Sequence, residues 1–208
     1  MDWRSRVAEL KSWALSERWE AREGGAFGLR DELEADFDRA FPVVRSWIAN
    51  SHPYLRRAGV VVCRMRRGRC TPRQVALLLE AMEPALLERE RYVRVNVGPF
   101  ALASLAHVQP DVALPRIAQW AHREEEVVRW NVAMAFSQAL GRRYPDVGLA
   151  ILRLLATDPR RFVWRAVASS LRNIGRTYPR RVVPLLEDWL ADDTRRAPAE
   201  VALAHIYK

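Results

Sequence analysis

The chain has 208 residues, 50% of them hydrophobic and 28% charged, which is the composition of a folded protein and excludes general disorder. Its 34 basic and 25 acidic side chains leave a formal charge of +9, and Lys11 and Lys208 are the only lysines, so 32 of the basic residues are arginine. Interior-lysine chemistry (Schiff bases, the phosphate-binding P-loop) is thereby excluded, and no apolar run approaches the roughly 20 residues of a membrane span.

In chain order, residues 3–16 read as a leading helix, and 19–33 and 35–49 as the next pair. Gly24-Gly25, inside the second of these, marks a kink or a close approach. His52-Pro53-Tyr54-Leu55-Arg56-Arg57-Ala58 opens a further helix, and Thr71-Pro72 starts its partner through Val75, Leu77, Leu78 and Leu79. From residue 92 the chain repeats with a spacing of 35: Tyr92-Val93-Arg94-Val95-Asn96-Val97, then Val127-Val128-Arg129-Trp130-Asn131-Val132, then Phe162-Val163-Trp164-Arg165-Ala166-Val167. Pro110 and Pro145 follow each start by 18 residues, with Pro179 one residue early. A period kept over three units is the mark of a repeat array.

Each unit reads as two helices. The first buries Val128, Val132, Phe136 and Leu140, four apart on one helical face. Proline then opens the second, which carries Ile151, Leu152, Leu154 and Leu155 in one unit and Val182, Val183, Leu185 and Leu186 in the next. Asp158-Pro159 and Asp192-Asp193 punctuate the turns. The sequence therefore predicts an all-α fold, a right-handed α-solenoid of HEAT-like helical pairs, about six of them with a period near 35. One domain over 1–208 is expected, with the clearest repeats at 92–126, 127–161 and 162–194.

Few patterns point to catalysis. His52, His107, His122 and His205 are scattered, and Cys63 and Cys70 flank an arginine-rich turn without zinc-ligand spacing, so neither metal nor cofactor is expected. The same count of cysteines predicts free thiols, and the mixed charge of the first residues reads as no signal peptide, so a cytoplasmic location is expected. The acidic runs Asp31 to Asp38 and Glu124-Glu125-Glu126 read as solvated helix ends.

The basic residues are more informative. Arg56, Arg57, Arg94, Arg129 and Arg165 fall in the first turns of corresponding helices, so a repeat array places them in a row able to track a phosphate backbone. The opposing reading makes each a salt-bridge partner of a neighbouring acidic turn. Arg64, Arg66, Arg67 and Arg69 form a basic loop, and Arg172 and Arg176 lie one turn apart. Trp47, Trp120 and Trp189 belong to packing between repeats, while Trp130 and Trp164 stand among the arginines and could stack on a sugar or base.

Trp19-Glu20-Ala21-Arg22-Glu23, the stretch from Val128-Arg129, Phe162-Val163 through Leu171-Arg172, and Arg176-Thr177-Tyr178-Pro179 together resemble the bacterial DNA alkylation repair family, HEAT-like-repeat DNA glycosylases of the AlkD and AlkC type. The resemblance covers most of the chain and is strongest over residues 90 to 190. It implies a concave basic face that holds duplex DNA and excises positively charged N3- or N7-alkylated purines without an extruded-base pocket. Arg129 falls where the family has a DNA-contacting arginine. The catalytic set is not matched. Beside Val97-Gly98-Pro99-Phe100-Ala101-Leu102, the family's aspartate falls at Val95 and its tryptophan near Arg91; a second tryptophan falls at Ser169. The acid of the AlkC-type motif is missing from Leu102-Ala103-Ser104.

Three readings follow. The first is a DNA-binding relative that recognises damaged or distorted duplex with weak or no base excision, acting as a monomer without metal, cofactor or membrane. Its contacts would come from Arg56, Arg57, Arg94, Arg129, Trp130, Trp164, Arg165, Arg172 and Arg176. The second is an active alkylpurine glycosylase using another acid, with Glu90, Glu88 and Asp111 the nearest candidates. The third is a HEAT-like scaffold for another protein.

Overall fold

Caps and prolines set the helix starts in the computed structural model, which describes residues 2–206; Met1, Tyr207 and Lys208 lie outside the described residues. Asp2 accepts hydrogen bonds from the first turn of α1 (Trp3–Ala14), and His52 caps α4 (Pro53–Val62) by accepting from the Tyr54 amide. Thr71 and Gln74 exchange side-chain and backbone bonds at the start of α5 (Pro72–Ala81), satisfying two donors that the helix leaves open. Proline occupies the first position of α4 and α5, and later of α11 (Pro145–Leu155) and α13 (Pro179–Trp189). Every regular element among the described residues is helical.

The chain divides into two compact units, Met1–Ala113 and Leu114–Lys208, with the division inside α8 (Pro110–Trp120). In the first unit α1 packs on α2 (Trp19–Ala35), and α2 packs on both α3 (Phe37–Ile48) and α4. The expected irregularity at Gly24-Gly25 is a close approach and not a break. A Cβ on Gly25 would fall 2.6 Å from the Ala14 nitrogen and 2.7 Å from the Leu10 oxygen, so glycine lets α1 and α2 touch backbone to backbone.

After a 3-10 turn (Pro84–Leu87), the third first-helix of this unit is distorted. It runs as α6 (Arg91–Arg94), a π-helical segment (Val97–Leu102) and α7 (Ala103–Val108). Pro99 has no N–H to donate in a helix interior, and the ladder resumes one residue out of step, with the Ala101 amide on the Asn96 carbonyl at 3.0 Å.

The second unit stacks the expected repeats. Its first helices, α9 (Glu126–Ala135), α12 (Arg161–Thr177) and α14 (Arg196–Leu203), start 35 residues apart, and α12 packs on both others. Each pair thus buries its apolar face on the next, which makes the unit a short α-solenoid. Val128, Val132, Phe136 and Leu140 are all buried, as their spacing predicts. One expectation changes: they do not share one helix, because the chain tightens at Phe136 and Ser137 before α10 (Ala139–Arg143). Gly141, in α10, and Gly148, in α11, close on Phe136, where a Cβ would meet the Phe136 oxygen and ring respectively. Asn131 and Ser170 are fully buried between α9 and α12, with Ser170 Oγ donating to the Ala133 carbonyl at 2.7 Å.

Candidate nucleic-acid interface

The fourth residue of four first-helices is an arginine, and each one turns back onto the chain. Arg22 donates to the Ser16 and Glu17 carbonyls at 2.9 and 2.8 Å, and Arg56 to those of Asn50 and Ser51 at 3.1 and 2.7 Å. Arg94 reaches the Arg89 carbonyl at 2.9 Å, and Arg129 that of Arg123 at 2.6 Å. These carbonyls belong to the turn that precedes the helix, where no helical N–H is available to them. Two of the arginines also reach forward. Arg56 pairs with Glu88 at 2.6 Å and Arg129 with Asp158 at 2.8 Å, 32 and 29 residues on, so one guanidinium ties a turn to its successor.

In α12 this position is Trp164, and Arg160, just before the helix, substitutes. It binds Asp158 through the side chain and the backbone amide, and donates to the Glu124 carbonyl at 2.7 Å. Burial opposes the charge on Asp158, but the hydrogen bonds from Arg160 and Arg129 outweigh it and hold the pKa at about 2. Arg56, Arg94 and Arg129 are therefore built into the repeat frame, their guanidiniums half-buried and committed to the chain's own oxygens.

The first unit holds an aromatic and guanidinium box at the starts of α2, α4 and α6. The Arg57 guanidinium carbon lies 4.4 Å from the Trp19 ring centre and 5.1 Å from that of Tyr92, and its Nη2 pairs with Glu23 at 2.5 Å. Arg57 is only 4% exposed, which takes it away from solvent. Arg22 lies over Tyr54 at 4.6 Å, and the Tyr54 and Tyr92 rings are 5.5 Å apart. Trp19 is the outward member, 48% exposed. A second sandwich lies further along: Arg64 is 5.1 Å from the Phe100 ring and 5.9 Å from Phe27, which Arg30 also covers at 4.7 Å. A guanidinium lying over a ring face keeps its N–H groups directed outward in its own plane, the geometry that serves carboxylates and phosphates.

In the second unit the Trp130 and Phe162 rings stack at 5.3 Å, 12° from parallel. Arg161 and Arg165, in the first turns of α12, are exposed, and their guanidiniums have no hydrogen bond or ion pair among the described residues. Arg91, opening α6 in the first unit, is in the same condition. Trp164 is half-buried; Arg172 is half-buried, with its Nε unpaired, and Arg176 donates from Nε to the His205 carbonyl at 3.1 Å. Trp47, Trp120 and Trp189 are buried, in keeping with packing roles.

Two of the three candidate acids are already engaged. Glu90 caps α6 by accepting from the Tyr92 amide at 3.1 Å, and Glu88 pairs with Arg56 and accepts from the Glu90 amide. Asp111 is exposed in the first turn of α8. Val95 is an exposed side chain one turn beyond Arg91, and Ser104 donates to the Met65 carbonyl at 3.1 Å. Sequence reasoning passed over Trp19, Tyr54, Tyr92 and the Glu23–Arg57 pair. Trp19 and Tyr54 stand one 35-residue period apart, and that spacing was the available signal. Among the described residues no cluster of histidine, cysteine, aspartate or glutamate could hold a metal ion, and no helix is long and apolar enough to cross a membrane.

No family model matches the chain, and no curated protein matches it. Among solved structures, it is similar to an engineered protein from a structural genomics consortium at 16% identity, covering 99% of both chains with a TM-score of 0.44. A designed armadillo repeat protein aligns at 14% identity over 96% of this chain and 99% of that one, with a TM-score of 0.39. Another, solved with the peptide (KR)4, aligns at 14% identity over the same shares, with a TM-score of 0.42. The all-α repeat assignment rests on the chain's own helices.

Proposed function

We propose that the chain is a DNA-binding repeat protein of the DNA alkylation repair kind, which recognises damaged or distorted duplex and excises bases weakly or not at all. The observation that carries this reading is a set of exposed arginines without carboxylate partners among the described residues. Arg91 in the first unit and Arg161 and Arg165 in the second sit in first turns of first-helices, close in sequence to the aromatic pairs Tyr54–Tyr92 and Trp130–Phe162. Exposed guanidiniums are suited to phosphate, aromatic faces to sugars and bases, and a net charge of +9 favours a polyanion.

The chemistry supports binding more than turnover. Cleaving an N-glycosidic bond develops positive charge on the sugar, which a facing carboxylate stabilises. Valine at 95 and alanine and serine at 103 and 104 supply none, and Glu88 and Glu90 serve as an ion-pair partner and a helix cap. Salt-titrated binding to duplexes with and without N-methylpurines or mismatches, run beside an assay for released base, tests the reading. Tighter, salt-dependent binding to the modified duplex with little base release is expected. Absence of duplex binding would leave the protein-scaffold reading; rapid release of methylated base would establish a glycosylase.

A further inference from the structure

The loop between α4 and α5 is fastened at both flanks and bare at its tip. Arg66 is the anchor: its amide donates to Glu34 Oε1 at 2.9 Å, its Nε to Glu34 Oε2 at 2.5 Å, and its Nη2 to Asp31 at 2.9 Å. On either side, the Met65 carbonyl accepts from Ser104 and the Cys70 carbonyl from Gln109 Nε2 at 2.9 Å, with Met65 and Cys70 themselves buried. The Arg69 amide closes the turn onto the Arg66 carbonyl at 3.2 Å, and Gly68 takes φ +78°, the left-handed conformation that glycine adopts without penalty. Arg67 and Arg69 on this frame are exposed, as is Arg73 just beyond. None of the three guanidiniums has a hydrogen bond, ion pair or ring contact among the described residues. At the base, Arg64 is held by Phe27 and Phe100 and has no carboxylate partner there either.

A solvated turn needs no such frame. Of the four arginines the loop presents, one is consumed in fixing it, and the frame holds the others in place without neutralising them. Pre-ordering a cationic edge lowers the entropy lost when a polyanion is bound, and arginine forks match phosphate oxygens. The edge is also separate from the aromatic and guanidinium box of this unit. It lies beyond the C-terminal end of α4, whose ten residues span about 15 Å, whereas the Trp19–Arg57–Tyr92 box is at the N-terminal end. The two sites are thus at opposite ends of α4, and the exposed arginines of the loop are apart from the buried Arg57.

We propose that the Arg67-Gly68-Arg69 turn, with Arg64 and Arg73 at its base, is a second phosphate-binding edge that grips the backbone of duplex DNA. This rests on the DNA-binding reading above. The test is the R67Q/R69Q variant of the full chain, measured against the wild type for duplex and single-stranded DNA over a range of salt, together with thermal melting. The expected result is an unchanged Tm and a log–log salt slope on duplex reduced by about two units, one for each lost contact, with a smaller change on single strands. Wild-type duplex binding with an unaltered slope in the variant would overturn this edge and leave the DNA-binding reading standing. No duplex binding by the wild type would overturn both. A fall in Tm would make the two arginines part of the frame and defeat the assignment, as would equal slope losses on single and double strands.

Discussion

Arg129 donates to Asp158 at 2.8 Å, from the first turn of α9 to the turn before α12, and the Asp158 side chain it meets is wholly buried. Arg160 completes the arrangement from the other side. One buried carboxylate thus collects two guanidiniums, one from the first turn of α9 and one from the residue before α12, and the spacing of the two helix starts is fastened there by charge as well as by apolar packing.

Replacing Asp158 by alanine should therefore lower unfolding free energy by about 3 kcal/mol, the lower end for breaking a buried ion pair, because both arginines remain partly wet. Urea denaturation at neutral pH measures it. The pH dependence has a defined sign. The folded pKa of about 2 lies below the ordinary 3.8, so this stabilisation is complete above about pH 4 and drains away as pH falls toward 2. The D158N variant should show a smaller loss of stability than the wild type across that window.

The arginines of the two classes should respond differently. Arg129→Ala and Arg56→Ala remove clamps onto carbonyls and carboxylates, and should lower Tm by several degrees. Arg91 and Arg165 are exposed and make no hydrogen bond or ion pair among the described residues, so in Arg91→Ala and Arg165→Ala Tm should hold while the salt slope of duplex binding falls by about one unit for each. Equal Tm losses in both classes would contradict the division.

Gly25→Ala should destabilise by about 2 kcal/mol or more, since the new methyl meets the α1 backbone, which has no soft side chain to yield. Gly68→Ala offers the contrast: its surroundings are open, and only the φ of +78° opposes it, at a cost of about 1 kcal/mol.

Burial pushes the Cys63 thiol up to about 12, helped by the nearby Cys70, and burial with the Glu34 charge pushes Cys70 up to about 11. A disulfide-exchange reagent at pH 8 should find neither thiol in the folded protein and both after unfolding. Because both folded pKa values exceed the ordinary 9.0, stability should decline as pH rises past about 9, where the unfolded thiols ionise first.

Base release from N-methylated duplex should be weak, and Val95→Asp should raise it, since it sets an exposed carboxylate just after α6, one turn from Arg91. Robust release by the wild type that disappears in Glu90→Gln would instead identify Glu90 as the acid.

The sequence alone determined the helical class and its period, because both follow from local rules: apolar residues four apart, proline at first turns, and a 35-residue recurrence that reappears as the starts of α9, α12 and α14. It also determined that positions 95, 103 and 104 carry no carboxylate, since valine, alanine and serine have none in any fold. What the arginines do was decided only by tertiary structure. Arg56, Arg57, Arg94, Arg129 and Arg165 look alike in sequence, yet packing commits four of them to carbonyls, carboxylates or rings and leaves Arg165 in solvent. Arg66 and Arg67 are adjacent, and one is an anchor while the other is bare. A guanidinium's role depends on which oxygens lie within about 3 Å, and for Arg66 and Arg129 those oxygens come from about 30 residues away, beyond the reach of any local pattern.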